Sequence, residues 1–560
     1  MKQPYQGGIE GKIYLLFSLF NSMLKTEQIQ VIISKFKDPT LWLLFSLSAI
    51  ILLWKLGQRS LEDWDEAIYA QISKEIVQNG DWITLHYGYV PWFHKPPLFI
   101  WSTAAFFQLF GVDEFWARAA SALSGVALIA IIYLIGKKVY GYWAGVFASL
   151  ILLASYQFVN SARFGTTDMM LTFFLFLSLY GYLHLRQGNQ KWWYFIGTAC
   201  ALAFMVKGFA AIVAPAAIII TLLIERQLLT TFKSKHFWLS IVLATLIIIP
   251  GHLTVLLQHG QAFLQKYLGY HVIERATRPL EGNSGDFLSY FRTVIKFFFP
   301  WVYLIPFAFI VSVKDTLKPH SSSRIIMVFF LVVFGLYSLV STKLSWYILP
   351  LYPIFAIFIG YLFQKAQASS TARSWILISI ATVALVIFPV TPLKIAGIIS
   401  PSVKQILAVF CFAIAATLLV LILLKRLTPK SATILLFAVF VFSGIREVRG
   451  LYTARVTPLS ALAQVAGQED FNKKNPLIIA KLSADLNHPS ALFYSNRPIW
   501  WLRSAEELKT AVNSDKNHEI IMSKEDFDNL SSDYEIQVLS EKASLVYAKI
   551  YPKNSPEINK

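Results

Sequence analysis

The chain has 560 residues, of which 56% are hydrophobic, 15% aromatic and only 15% charged, with a mean hydropathy of +0.54 and a formal net charge of +18. Soluble domains carry about 25% charged residues, so this composition excludes an ordinary soluble protein and indicates a polytopic α-helical membrane protein. The positive charge does not indicate nucleic acid, because Lys and Arg fall in short links between apolar runs, where they set topology and meet anionic membrane lipids.

Residues 1–40 read as a cytoplasmic or interfacial leader: the apolar run 13–20 is short and no clear small-residue cleavage site follows it. Apolar stretches of spanning length recur at 41–57, 117–136, 143–161, 168–185, 192–206, 208–225, 237–257, 293–312, 325–341, 346–363, 375–391, 404–424 and 431–446. About thirteen transmembrane helices are therefore expected across a membrane domain of residues 41–450. With the N-terminus placed in the cytoplasm, the inner links hold Lys137-Lys138, Arg186, Lys191, Arg226, Lys314, Arg324, Lys365, Arg373, Lys425 and Arg426, as the positive-inside rule requires. A multi-pass cytoplasmic-membrane protein with its C-terminus outside follows.

Two large outer loops are expected, at 58–116 and about 258–292. Residues 65–77 of the first pattern as a surface helix with Ile68, Ile72 and Ile76 on one side and Asn79-Gly80 as its stop. A second amphipathic pattern covers 261–275, and both suit the headgroup plane. From residue 451 to 560 the composition changes to that of a small extracytoplasmic α/β domain. Strand-like runs at Leu477–Ala480, Pro498–Leu502, Glu519–Met522, Glu535–Leu539 and Ser544–Ile550 alternate with helix-like stretches. It has no Gly-rich phosphate loop, so no nucleotide cofactor is expected. The two cysteines, Cys200 and Cys411, lie in apolar runs and offer neither a disulfide framework nor a metal motif.

The topology gathers Asp65, Glu66, His94, Lys95, Arg163, Asp168, Lys207, His271, Arg275, Lys343 and Tyr347 on the outer face. Asp65-Glu66 suits either a helix N-terminus, which favours acids, or a general base for an attacking hydroxyl. His94-Lys95-Pro96-Pro97 keeps Lys95 out of helical geometry, so it is either a snorkelling lysine or a point charge for a phosphate. Arg163 and Asp168 flank a link in SARFGTTDMM, read as helix capping or as a sugar or metal contact. Lys207 is a second phosphate cation or a surface anchor. Arg275 and Arg278 could clamp phosphate, Lys343 and Tyr347 form an anchor or a binding pair, and His94 and His271 are candidate ligands of a divalent metal ion.

The motifs DEAIYAQISKEIVQNGDWITLHYGYVPWFHKPPLFIW, RFGTTDMMLTFF, KGF and TKLSWYILPLYP together resemble the bacterial 4-amino-4-deoxy-L-arabinose lipid A transferases and the protein O-mannosyltransferases, in their order and spacing. These are GT-C-type membrane glycosyltransferases. The resemblance covers most of residues 40–450 and, more weakly, SALFYSNRPIWWL in the C-terminal domain. It implies inverting transfer of a sugar from a polyprenyl-phosphate carrier to a lipid, protein or glycan acceptor. It also implies Asp65 as the catalytic acid position, Asp168 as a second active-site acid, Lys95 and Lys207 on the carrier phosphate and Tyr347 near the donor. Two departures stand out: FHKPP where the arabinose transferases usually read FEKPP, placing His94 at a metal-linked acid position, and Ile68 where they usually carry Arg. The expectation therefore extends to the reaction and not to the aminoarabinose donor. The competing readings are a transporter or flippase of polyprenyl-linked sugars, a surface-polysaccharide ligase or polymerase, and a non-catalytic carrier-binding protein.

Overall fold

The computed structural model describes residues 37–279, 282, 284–286, 288–367, 376–378, 380–384, 386–387, 401–468, 476–480, 488–512, 518–530 and 534–551. Residues 1–36 of the expected leader and part of the expected span 375–391 lie outside these.

Helix α1 (Pro39–Leu53) opens with Pro at its first position and the Asp38 side chain accepting from the Thr40 amide, a regular N-terminal cap. Helices α2 (Asp65–Asn79) and α3 (Leu98–Phe110) follow in the first large loop, joined by a two-strand ribbon, β1 (His86–Tyr87) and β2 (Val90–Pro91). Next come α4 (Glu114–Val139), α5 (Tyr142–Leu153), α6 (Tyr156–Ala162), α7 (Thr167–Leu185), α8 (Trp192–Lys207) and α9 (Val213–Ile224). The remaining long helices are α10 (Lys235–Leu264), α11 (Ser289–Phe297), α12 (Ile305–Thr316), α13 (Arg324–Leu339), α14 (Leu351–Ala366), α15 (Pro401–Leu423) and α16 (Pro429–Arg449).

Seven described helical segments are long and apolar enough to cross a membrane, or up to nine if each sharply bent pair counts as one span. The expectation of about thirteen separate spans meets three physical complications. The run 192–225 is continuous through a 3-10 turn at Gly208–Ile212, while α5 and α6 bend by 71° and α11 and the segment Trp301–Thr316 by 116°. Helices α1 and α13 are apolar but short. Close packing uses small residues: a Cβ on Gly136 would fall 2.7 Å from the Gly145 Cα, so α4 and α5 meet backbone to backbone.

The polar ends of the bundle separate into two groups. At one end Glu225 pairs with both Arg186 and Arg324 at 3.0 Å, and Lys137 with Asp38 at 2.6 Å. At the other lie the starts of α2, α4 and α7, the end of α8 and the C-terminal domain.

That domain holds a five-stranded sheet, order β4-β3-β5-β7-β6, with β3 (Leu477–Ala480), β4 (Ile499–Leu502), β5 (His518–Ser523), β6 (Glu535–Lys542) and β7 (Leu545–Tyr551). Strand β3 is parallel to β4 and β5, while β7 is antiparallel to β5 and β6. Helix α17 (Pro458–Gln468) covers one face, and α18 (Ser490–Ser495) docks on α2.

This docking corrects the expectation of a surface helix at 65–77. Ile72 and Ile76 are fully buried, Ile68 lines a cavity, and Ala67 and Ala70 pack with Phe107 of α3 and Phe493 of α18. Even Lys74 is buried, its Nζ donating to the Phe493 carbonyl at 2.6 Å over the Phe493 ring, and burial lowers its pKa to about 8. Gly80 ends the helix at φ 76°, a conformation that glycine adopts without strain. The pattern at 261–275 continues α10 beyond a break at Gly260, through a π-turn at Gln265–Glu274.

Candidate active site

A cavity of about 1100 Å³ opens where these polar ends meet, and Asp65, Lys95, Arg163, Asp168, His94, His271 and Arg275 all line it. Four elements position them. Helix α2 begins at Asp65, Pro96-Pro97 delivers Lys95 just before α3, α7 begins beside Asp168, and the π-turn carries His271 to Arg275.

The pairing within the cluster sorts these residues. Asp168 and Lys207 are both buried and meet at 2.5 Å, and the Lys207 ammonium lies 5.1 Å from the Tyr347 ring centre. Arg275 donates to the Tyr347 hydroxyl at 3.2 Å. Asp168, Lys207, Tyr347 and Arg275 therefore form one connected chain. Asp65 and Lys95 have no side-chain hydrogen bond or ion pair among the described residues. Lys95 is partly exposed into the cavity. Burial first, then the neighbouring Lys207 and Arg275, push its pKa down to about 8, against the opposing influence of Asp65 and Asp168.

Four sequence expectations are corrected. Glu66 does not face substrate: it is fully buried, accepts from Arg118 through both carboxylate oxygens at 2.8 Å, and also binds the Glu62 and Gly165 amides. Consecutive helix residues point about 100° apart, so one acid of the pair faces the cavity and its neighbour the interior. Arg163 reaches the carbonyls of Leu52, Trp54 and Lys55 at 2.7–3.2 Å, closing the end of α1, although its edge lines the cavity. Lys343 similarly donates to the Tyr337, Ser338 and Val340 carbonyls at the end of α13. Arg278 pairs with Glu274 on the surface and is not part of the cavity wall.

The two histidines do meet. Their ring centres lie 4.2 Å apart with the planes tilted by 39°, a face contact and not a convergence of in-plane lone pairs. Both His271 nitrogens are buried without a hydrogen-bond partner. His94 is held neutral, its pKa lowered to about 4 by burial and by Lys266, Lys95 and Arg275. The two imidazoles stand among cationic neighbours, and among the described residues no group of three or more His, Cys, Asp or Glu could hold a metal. The donor set does not fit a complete metal site.

Sequence reasoning missed Tyr69, Asn160 and Arg118. Tyr69 lies one helical turn after Asp65 and lines the same cavity, a spacing that was available. Asn160, a polar residue inside the apolar run YQFVNSARF, was a second readable signal. Arg118 had none, because its partner lies 52 positions away.

A family model described as dolichyl-phosphate-mannose-protein mannosyltransferase matches residues 94–254. The structure of ArnT from Cupriavidus metallidurans bound to undecaprenyl phosphate superposes with a TM-score of 0.71 at 22% identity, over 90% of this chain and 97% of that one. The chain shares the fold of that structure. Among sequence relatives, an undecaprenyl phosphate-alpha-4-amino-4-deoxy-L-arabinose arabinosyl transferase of Pseudomonas savastanoi pv. phaseolicola is 29% identical, over 57% of this chain and 59% of the relative. An uncharacterized protein of Aquifex aeolicus is 26% identical over 61% of this chain and 70% of its own length. The chain thus spans roughly 50–70% of the length of the first relatives it matches.

Proposed function

We propose that the protein is a glycosyltransferase that moves a hexose or pentose from a polyprenyl-phosphate carrier to a lipid, protein or glycan acceptor at the outer face of the cytoplasmic membrane. The observation that carries this reading is the pairing pattern around the cavity. Glu66 is held by Arg118 and Asp168 by Lys207, while the Asp65 carboxylate and the Lys95 ammonium face the cavity without partners among the described residues. Leaving an anion and a cation unpaired in a partly buried cleft is costly, and a substrate that brings both a proton to remove and a negative charge to hold offsets that cost.

The step is an inverting displacement. The acceptor oxygen attacks the anomeric carbon on the side opposite the carrier phosphate. The new carbon–oxygen bond forms as the sugar–phosphate bond breaks, and the bonding pair leaves with the phosphate. Lys95, with Arg275 nearby, meets the charge that develops on the leaving phosphate, and Asp65 takes the proton of the acceptor. Lys207 and Asp168, held to each other, set the position of Tyr347 and Arg275. No step is routed through a metal.

The donor class is supported by the fold match to a protein solved with undecaprenyl phosphate and by the arabinosyl transferases among the relatives. A cytoplasmic location for the end away from the cavity is supported by charge, because Lys137, Arg186, Arg324 and Lys318 gather there. The test is transfer by Asp65→Asn in purified membranes. Sugar transfer falls by ~10²–10⁴-fold while undecaprenyl phosphate still binds; near-normal transfer would rule out the base. Mass spectrometry of envelope lipids and glycoproteins, with and without the protein, names the sugar and acceptor.

A further inference from the structure

The residue before Asp65 has an unusual backbone. Trp64 caps α2 at φ 69°, ψ −126°. Its positive φ is rare for a bulky residue, and its ψ lies far from the left-handed helical well near +47°. Such a conformation persists only where the surroundings over-determine it.

Trp64 is flanked by two anchors. On one side Glu66 is locked to Arg118 and the Gly165 amide. On the other, both oxygens of Asp63 are engaged by the C-terminal domain: Oδ1 accepts from the Ser490 amide at 3.0 Å, and Oδ2 lies 2.9 Å from the His488 Nδ1. The same domain also holds residues 60 and 61. The Leu61 amide donates to the Tyr494 hydroxyl at 2.8 Å, and the Ser60 amide to the Arg455 carbonyl at 2.9 Å. Asp63 lines the cavity but has no free oxygen for substrate.

We infer that the C-terminal domain is a positioning element of the transfer reaction: through Asp63, His488 and Ser490 hold Trp64 in its strained conformation, and this fixes the direction in which Asp65 enters the cavity. The inference rests on the proposed role of Asp65. Asp63 is a positioning residue, since it touches no reacting atom.

The test compares full-length variants in lipid nanodiscs. Trp64→Ala and Trp64→Gly both remove the indole, but only glycine can relax the backbone freely. Glycine is expected to unfold at a higher temperature than alanine and yet turn over more slowly, with the same KM for carrier. A role of the indole alone would give both variants the same kcat, and that result overturns the inference. Asp63→Asn keeps an oxygen for the Ser490 amide and Asp63→Ala does not, so Ala is expected to lower kcat by a further ~10–100-fold without raising the carrier KM. If Asp63→Ala does not fold, His488→Ala reads the same loss through kcat. Amide exchange over residues 61–66 is an arm independent of activity, expected to rise in Asp63→Ala or His488→Ala. Unchanged exchange counts against the clamp even if the wild type transfers no sugar, the latter outcome bearing on the proposed function alone.

Discussion

Glu66 and Arg118 form a buried two-point pair, Nε to Oε1 and Nη2 to Oε2 each at 2.8 Å, directly adjacent in sequence to the cavity-facing Asp65. Arg118 also donates to the Leu56, Arg59 and Ser60 carbonyls, so one guanidinium fastens the first loop to α4. Removing one partner leaves a buried charge alone, which costs ~3–5 kcal/mol. Glu66→Ala and Arg118→Ala should therefore lower the melting temperature sharply, whereas Asp65→Asn should leave it nearly unchanged. Thermal unfolding followed by fluorescence-detected size exclusion separates the two behaviours.

Carrier binding should depend on pH through Lys95. Its pKa is held down to about 8, so below that value the ammonium is present to meet a phosphate and above it the amine is neutral. Affinity for undecaprenyl phosphate should fall as pH rises beyond about 8, with the loss moved upward in the complex because the bound anion favours the charged form. Lys95→Arg should remove this inflection, since guanidinium does not titrate there. A titration of affinity from pH 6.5 to 9.5, about three units around the midpoint, reads it directly.

The Asp168–Lys207 pair gives a prediction with opposite signs in two readouts. Asp168→Asn removes a negative charge from a site that receives an anion and releases Lys207 from its partner. Carrier should bind more tightly, while transfer slows because the Lys207–Tyr347–Arg275 chain loses its anchor. Equilibrium binding and single-turnover transfer measured on one preparation check both signs.

Arg163 and Lys343 provide the control for reassigned roles. Each donates to helix-end carbonyls, so alanine at either position should cost about 1–3 kcal/mol of stability and leave carrier affinity intact. A large loss of carrier binding by a well-folded Lys343→Ala would return that lysine to the donor site.

The His94–His271 contact predicts how the protein responds to chelators. Two imidazoles in tilted ring contact amid Lys95, Lys266 and Arg275 make a poor seat for a dication. Transfer should survive exhaustive treatment with a chelator, and added zinc should not stimulate it; loss of activity that zinc restores would contradict this.

Much of the architecture was legible in the sequence because hydrophobic length and alternation are local. The apolar runs mark the long helices, Gly80 marks the end of α2, and all five strands of the C-terminal sheet lie at the strand-like apolar runs. The candidate site was legible only where chain order places residues at the same end of the bundle, as for Asp65, Lys95 and Asp168. Function within the acid pair was not, because a helix turns by about 100° between neighbours and the sequence does not say which one meets Arg118. The cap roles of Arg163 and Lys343 escaped for the same reason: a lysine bound to carbonyls and a lysine bound to phosphate look alike until the helix end beside it is known.

The shared carboxylate of Glu225, at the end of the bundle away from the cavity, has a mechanical consequence. Arg186 follows α7, Glu225 follows α9 and Arg324 begins α13, so one buried acid rivets three helices at a single point. Substitution of that one acid therefore frees three helix ends at once, as drawing the pin frees the ribs of a fan.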